Sequence, residues 1–259
     1  MGVTTPPLPS AYTEHVPPAI LREHVECFWT RGSSDRPNEP YLVLPDGSID
    51  IVLGYRPSDS GAPPELAMAV GTMTRALTLS AADPTEWVGV RFWPGRALPF
   101  LGIPASELTD LRVDIAQLWP DPDARLDPLR AGALPGLLAT FQRLLERRLS
   151  SSQPVDRTVD EAVRAILRSA GNLSIAALAP ALGVTRQHLA RRFAMHVGIP
   201  PKMFARVVRV RRAIAKARVA AHVDWAALAL DAGYYDQSHL AGEVRELTGR
   251  SPGDWLAPV

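Results

Sequence analysis

The sequence predicts an α+β protein in which a β-rich N-terminal domain, a small barrel or sandwich, precedes an all-α domain. Three observations lead to this prediction. Short β-branched and aromatic runs lie between turn residues up to about residue 94, apolar residues have helical spacing after residue 155, and the charge changes sign between the halves. The 259 residues are enough for two domains. We expect these domains to span 1–153 and 154–259, because the polar segment 150–154 has the composition of a linker.

The N-terminal half contains five predicted strands, at 41–44, 48–53, 65–70, 76–81 and 87–93. The first two flank the turn sequence Pro45-Asp46-Gly47, so we expect them to pair as a hairpin. In the last strand Val88, Val90 and Phe92 alternate with other residues, which predicts one buried face. Two helices, at 96–101 and 137–145, are predicted to follow.

Capping residues and glycines divide the C-terminal half into helices. A capping box at Thr158–Glu161 opens the first, and Gly171 ends it. Pro180 lies inside the second predicted helix and removes one of its hydrogen bonds. The remaining predicted helices span 175–182, 186–195, 201–219, 225–232 and 237–247.

Charge is distributed very unevenly along a chain whose net charge is only +1. Residues 1–154 hold 13 basic and 18 acidic side chains, whereas residues 155–259 hold 15 and 9, so the halves carry −5 and +6. Between Glu161 and Asp224 there are ten arginines, two lysines and no acidic residue. A solvated face usually mixes both signs, so this segment favours a polyanionic partner.

The basic half contains an internal repeat of two helix-turn-helix units. Four residue pairs are offset by 50: Ser174 with Asp224, Leu178 with Leu228, Ala179 with Ala229, and Gly183 with Gly233. After one extra residue the offset becomes 51, and the pairs are His188 with His239, Leu189 with Leu240, Gly198 with Gly249, and Pro201 with Pro252. One such unit is common scaffolding, but two in register in a basic domain indicate DNA binding.

On these residues, the segment 157–256 resembles the DNA-binding domain of the AraC/XylS family of bacterial transcription regulators. The most specific match is Ala232-Gly-Tyr-Tyr-Asp-Gln-Ser-His-Leu240, followed by Thr248-Gly-Arg-Ser-Pro252. In the N-terminal half, Val25-Glu-Cys-Phe-Trp29, Leu44-Pro-Asp-Gly47 and Val88-Gly-Val-Arg-Phe92 resemble a cupin-like domain of one branch of that family. The resemblance implies a regulator whose two recognition helices enter successive major grooves of duplex DNA.

The same resemblance implies which side chains meet DNA, because the N-terminal part of a recognition helix reads base edges. The candidates in the two recognition helices are Arg186, Gln187, Arg191, Arg192, Gln237, Ser238 and His239. Gly242 stands where the family often has a polar or basic residue, so the second unit either reads bases or mainly holds phosphates. Arg206 and Arg209 begin a basic stripe, which either faces phosphates or is merely solvated.

The N-terminal half lacks the residues of a metal or nucleophile site. It has only two histidines, His15 and His24, and the chain has a single cysteine, Cys27. We therefore predict no catalytic residue, no metal and no cofactor. His188 and His239 are better explained by local packing or by a hydrogen bond at the helix start than by a metal site, since each occupies the same place in the repeat. The candidates for an effector pocket are Trp29, Asp50, Arg91 and Trp93.

Two functions remain open from the sequence. The first is a sequence-specific transcription regulator with an effector or dimerisation domain; the second is an enzyme or small-molecule-binding protein tethered to nucleic acid by its basic domain. The expected partners are duplex DNA, a small-molecule effector, RNA polymerase and a second copy of the chain. No apolar run approaches 18 residues and no secretory signal is present, so we expect a cytoplasmic protein without membrane contact.

Overall fold

The computed structural model describes residues 12–32, 41–55, 64–79, 86–119, 129, 134–149, 155–220 and 222–255. An antiparallel, sheet-rich N-terminal domain precedes a helical C-terminal domain, which confirms the predicted fold class. The predicted boundary at 153/154 lies outside the described residues. The strands are β1 (Tyr12–His15), β2 (Val25–Arg31), β3 (Tyr41–Val43), β4 (Asp50–Tyr55), β5 (Leu66–Val70), β6 (Leu77–Leu79), β7 (Glu86–Phe92) and β8 (Arg112–Asp114).

Six of these strands form one antiparallel sheet in the order β1-β2-β7-β4-β5-β8, and β3 pairs with β6 in a second sheet. The predicted hairpin of residues 41–44 and 48–53 is therefore wrong. The turn itself forms, since the Ser48 amide donates to Asp46 Oδ1 at 2.9 Å and Gly47 has a φ of +82°. However, β4 pairs along its whole length with β7 and along most of it with β5, so neither edge is left for β3.

Strand β2 was not predicted, although it lies inside the large sheet. Its register with β7 shifts between Val25 and Cys27, so Glu26 is the extra residue of a β-bulge. The bulge breaks the strict alternation by which a strand is recognised in a sequence. Of the predicted strand 76–81, the structure describes only its central part as β6, since residues 80 and 81 lie outside the described residues.

One face of the large sheet carries the core of the N-terminal domain. As predicted, Val88, Val90 and Phe92 point to this face and are buried. They pack with α1 (Leu98–Leu101), α2 (Ile115–Leu118) and α3 (Leu134–Leu149), the last of which is longer than predicted at both ends. The rings of Phe28 and Phe141 meet edge to face at 5.8 Å between centroids, which joins β2 to α3.

The C-terminal helices follow the predicted order. They are α4 (Arg157–Arg168), α5 (Ile175–Ala181), α6 (Arg186–Val197), α7 (Pro201–Val219), α8 (Trp225–Asp231) and α9 (Gln237–Thr248). The predicted start of α4 at a Thr158 capping box is wrong, because Asp156 caps the helix by accepting from the Val159 amide at 3.1 Å. Pro180 sits in the last turn of α5, which ends one residue later.

Two hydrophobic cores organise these helices, and α7 contributes to both. The first half of α7 packs with α4, α5 and α6, whereas its second half packs with α8 and α9.

Within the described ranges, no helix has the length and apolarity needed to cross a membrane.

We expect the Gly71→Ala variant to be strongly destabilised, because a Cβ there would lie 1.7 Å from the Leu108 carbonyl oxygen and the backbone would have to move. Overpacking of this kind costs about 1–3 kcal/mol or more. Gly136→Ala is the matched control, since nothing lies within 4 Å of its Cβ position in α3. Helix propensity should make this control more stable, by up to about 1 kcal/mol. Thermal melts of the two variants would contradict the packing described here if their midpoints moved in the same direction.

Candidate nucleic-acid interface

Helix α6 presents an exposed, basic N-terminal end. Thr185 Oγ1 caps it by accepting from the His188 amide at 3.1 Å, and the turn before it passes through Gly183 with a φ of +69°. Leu189, Phe193 and Val197 anchor the opposite face in the first core. This leaves three of the predicted base-reading residues exposed at one end of the helix: Arg186, Gln187 and Arg191.

Helix α9 repeats this arrangement with neutral side chains. Asp236 Oδ1 accepts from the His239 amide at 2.8 Å, and Leu240, Val244 and Leu247 are buried in the second core. The predicted residues Gln237, Ser238 and His239 are exposed, as is Gly242. The His239 ring meets the Tyr234 ring edge to face at 5.2 Å between centroids, so its packing is local, as the repeat suggested.

An exposed tyrosine just before α9 was not among the DNA-contact residues predicted from the sequence. Tyr235 directly precedes the capping residue Asp236 and has 86% of its surface exposed. Its position in the turn of a helix-turn-helix unit, beside the exposed ends of Gln237 and Ser238, was the signal that could have identified it.

Arg192, the fourth candidate on α6, has a partner within the protein. Its Nε donates to Asp156 Oδ2 at 2.6 Å, and 40% of its side chain stays exposed. His196 Nε2 lies 3.3 Å from the same oxygen. Burial opposes the charge of Asp156, but the Val159 amide and the Arg192 guanidinium lower the pKa of its carboxyl below the ordinary value. Arg192 therefore ties the recognition helix to the start of α4.

The predicted phosphate stripe on α7 turns towards α9. Arg206 Nε donates to Glu243 Oε1 at 2.8 Å, and its Nη2 donates to Glu246 Oε2 at 2.5 Å. Arg209 Nη2 lies 3.7 Å from Glu243 Oε1, and its guanidinium lies 5.1 Å from the centre of the Tyr234 ring. Phosphate contact by these two arginines stays a prediction, but each already has a carboxylate partner. The sequence could not reveal this, because Glu243 is 37 residues from Arg206.

Three of the four effector-pocket candidates lie together on the face of the large sheet opposite its core. The Trp29 indole N–H donates to Asp50 Oδ2 at 3.0 Å, and Arg91 donates to both Asp50 oxygens at 3.2 Å. The indole lies over Gly89, where a Cβ would be 2.2 Å from the Trp29 ring. Trp93 does not join them: it is 40% exposed, and its indole N–H donates to the Arg22 carbonyl at 3.3 Å.

Two further acidic residues extend this cluster, and sequence reasoning did not assign them to it. Asp46 Oδ2 lies 3.4 Å from Arg91 Nε and 3.6 Å from Nη1 of Arg211 on α7, so it links the sheet to the helical domain. The bulge residue Glu26 lies close enough to feel the charges of Arg91, Asp46 and Asp50. Burial raises the pKa of Glu26 to about 7, and it also raises the pKa of Asp50, although Arg91 acts in the opposite direction.

The part of the chain that the structure describes has no group of three or more histidine, cysteine or acidic side chains arranged to hold a metal ion. The single cysteine, Cys27, is buried, and burial raises the pKa of its thiol.

Comparison with known families assigns the two halves separately. Residues 178–257 match a family described as a helix-turn-helix domain, which covers both recognition helices. The C-terminal domain is an AraC-type helix-turn-helix domain. Residues 13–114 match a family described as a domain of unknown function, DUF6597. An AraC-type domain binds DNA in transcription regulation, and the chain is accordingly a DNA-binding regulator.

Solved structures of ToxT from Vibrio cholerae are distantly similar to the whole chain. The unsaturated fatty acid-bound form has 11% identity and a TM-score of 0.46, and 97% of each chain is covered. A second structure, at 1.65 Å resolution, has 12% identity and a TM-score of 0.45, and covers 95% of this chain and 98% of ToxT. No curated protein matches the chain. Similarity at this level says nothing about what the present chain binds.

We expect Glu26→Gln to stabilise the protein more at pH 8 than at pH 5. The folded carboxyl has a pKa of about 7, so between its ordinary value and pH 7 the folded chain keeps a proton that the unfolded chain has lost. Stability therefore falls as the pH rises through this window, and glutamine removes that loss. The gain at pH 8 should be on the order of 1–3 kcal/mol. Denaturant titrations measure it, with the exposed Glu107→Gln as control; equal gains at both pH values would contradict the buried site.

Proposed function

We propose that the chain is a sequence-specific transcription regulator that reads DNA with the N-terminal ends of α6 and α9. One observation carries this proposal: two units of the same repeat each bury one face of their second helix and leave its capped N-terminal end exposed. Such an end carries free amides and a positive dipole, and it is the part of a recognition helix that meets base edges.

The first unit is proposed to provide most of the sequence specificity. Arginine can donate two hydrogen bonds to guanine, and glutamine can bond an adenine edge in the same bidentate manner. Arg186, Gln187 and Arg191 have these chemistries and are exposed. Arg192 is placed beside them, but its ion pair with Asp156 leaves only part of the guanidinium for a phosphate.

The second unit is proposed to hold the DNA backbone more than it reads bases. Gln237 and Ser238 offer neutral donors, His239 packs on Tyr234, and Gly242 has no side chain to reach a base. The exposed Tyr235 hydroxyl is well placed as a further phosphate donor. For Arg206 and Arg209 we propose a supporting role, because their ion pairs with Glu243 hold α9 against α7.

The N-terminal domain is proposed to regulate DNA binding without catalysing a reaction. Trp29, Asp50 and Arg91 form the candidate effector contact, with Glu26 and Asp46 beside them. Asp46 forms ion pairs with both Arg91 and Arg211, so a ligand that binds Arg91 in place of Asp46 would also change the charge that faces α7. Contacts with RNA polymerase and with a second copy of the chain, and a cytoplasmic location, belong to the same proposal.

Selection of bound duplexes from a random DNA library tests the sequence-specific reading. We expect the full chain to select a consensus, and Gln187→Ala and Arg191→Ala to change the preferred bases at one or two positions. Each lost contact should cost about 1–3 kcal/mol of discrimination. Arg143→Ala, which removes an exposed arginine from α3, is the charge-matched control and should leave the consensus unaltered.

The alternative, a small-molecule protein tethered to nucleic acid, predicts a different outcome. A tether would bind DNA without selecting any consensus, and neither recognition-helix variant would change its preference. In both cases affinity falls with salt; for about 6–10 phosphate contacts the slope of log affinity against log salt is about −5 to −9. The absence of a consensus, together with a slope of this size, would therefore favour the tether.

A further inference from the structure

One short segment of the N-terminal domain contacts the C-terminal ends of both recognition helices. Residues 71–76 and the neighbouring residues 108–111, which hold them in place, are together called the bracket. We propose that the bracket acts as a splint, that is, as a rigid support that sets the orientation of α6 relative to α9. Thr72 and Thr109 are the positioning residues of this splint. Its consequence for DNA binding rests on the proposed function, but the geometry itself does not.

At α6 the bracket bonds carbonyl groups that the helix leaves without a partner. The last carbonyls of a helix have no amide within the helix to accept from. Thr72 Oγ1 donates to the Val197 carbonyl at 2.5 Å, and Thr109 Oγ1 donates to the Gly198 carbonyl at 2.6 Å. Thr72 is fully buried, so its hydroxyl is shielded from water. Gly198 has a φ of +94°, and a Cβ on it would lie 3.0 Å from Thr72 Oγ1, so this approach depends on glycine.

At α9 the same segment makes an equivalent contact. The Ala76 amide donates to the Leu247 carbonyl at 2.7 Å, one residue before the end of the helix. Ala76 is only four residues from Thr72. Four residues of extended chain span at most about 14 Å, so a movement of one recognition helix relative to the other strains this segment.

The bracket is held rigidly to its own domain. Asp110 accepts from both the amide and the hydroxyl of Thr74 at 2.6 Å, and its own amide donates to the Thr72 carbonyl at 3.1 Å. Asp110 itself has a left-handed backbone, with a φ of +58°, which aspartate tolerates better than most non-glycine residues. At the base of the bracket, the Gly71 amide donates to the Leu111 carbonyl at 3.0 Å, where β5 and β8 begin to pair.

The position of these contacts indicates that the bracket orders the DNA-reading surface and does not block it. It contacts the C-terminal ends of α6 and α9, whereas the predicted base-reading residues lie at their exposed N-terminal ends. Within the helical domain the two units have separate cores, which are joined through α7 and by the close approach of Asn172 to Gly233. The bracket adds a further connection, at the opposite ends of α6 and α9 from the predicted base-reading residues, and each added connection restricts bending and twisting between the units. Fixing two contacts in advance lowers the entropy that binding must overcome.

Distances between spin labels on the two recognition helices test the splint without DNA. Labels at Ala190→Cys and Gly242→Cys use exposed positions, and the native Cys27 is buried. We expect one narrow distance distribution for the full chain and a clearly broader one after Thr72→Val and Thr109→Val, which keep side-chain shape but remove both hydroxyls. Thr140→Val is the matched control, because its hydroxyl bonds the Gly136 carbonyl within α3. An unchanged distribution in the double variant would overturn the proposal.

A second variant keeps the test decisive if the double variant does not fold. Asp110→Gly accepts the left-handed backbone and removes both acceptors of Thr74, so it loosens the bracket at an exposed position. It too should broaden the distribution.

A measurement of DNA affinity then distinguishes failure of the splint from failure of the proposed function. On the duplex selected by the full chain, loosening the bracket should weaken binding about three- to tenfold without changing the consensus. Broader distances with unaltered affinity would refute the positioning role. If the native chain selects no duplex while its distances stay narrow, the proposed function fails and the splint stands.

Discussion

Helix α7 is the constraint on which the rest of the helical domain depends, because its side chains belong to two hydrophobic cores at once. Phe204, Val207 and Val208 pack with the first unit, and Val210 and Ile214 pack with the second. A helix that serves two cores must be apolar on more than one face, yet α7 also carries five basic residues of the acid-free stretch before its last turn. The conflict is resolved by ion pairs: Arg206 and Arg209 reach Glu243, and Arg211 reaches Asp46. Packing and charge on α7 therefore orient both units and also connect them to the sheet.

These ion pairs reduce the positive charge that the basic segment can offer to a polyanionic partner. A segment of 62 residues without an acidic side chain suggests a broad surface for a polyanion. However, several of its basic side chains form ion pairs with carboxylates that lie outside the segment. The ion pairs are Arg192 with Asp156, Arg206 with Glu243, and Lys216 with Asp231. Exposed ion pairs contribute little to stability, but the carboxylates of Asp156 and Glu243 are buried, and their arginine partners hold helices in place. Arg186 and Arg191 are exposed at the N-terminal end of α6, whereas Gln237 and Ser238 at the corresponding end of α9 are neutral, so the two units of the repeat are chemically unequal.

The two domains meet through turns of the sheet domain and not through its core. The turn at Asp46 and Gly47 lies against α7, where a Cβ on Gly47 would be 2.2 Å from the Phe204 ring, and the bracket lies against α6 and α9. Arg96 adds an ion pair to Asp160 of α4. The strand β4 begins beside that turn and carries Asp50, so the candidate effector cluster is next to the contact with α7. Asp46 and Arg211 therefore connect the candidate cluster directly to α7, which packs against both helix-turn-helix units.

The sequence by itself determined the features that depend on neighbouring residues. The predicted starts of α5, α6, α8 and α9 are confirmed, and Ser174, Thr185, Asp224 and Asp236 cap these helices. Gly198 and Gly249 end α6 and α9 in left-handed conformations, and the repeat partners Leu189 and Leu240 are both buried. It also brought Trp29, Asp50 and Arg91 to attention as candidates, although their meeting depends on strand pairing. Only the tertiary structure decided that β4 pairs with β7 and β5 and not with β3, and that Glu26 comes within electrostatic reach of Asp46 and Asp50. It also decided that Arg206 and Arg209 face Glu243 and that Thr72 reaches α6. Helix caps and left-handed glycines depend on hydrogen bonds between residues a few positions apart, so they can be predicted from the local sequence. Strand partners and buried ion pairs join residues that are tens of positions apart, and many pairings satisfy the same local patterns until the whole chain packs.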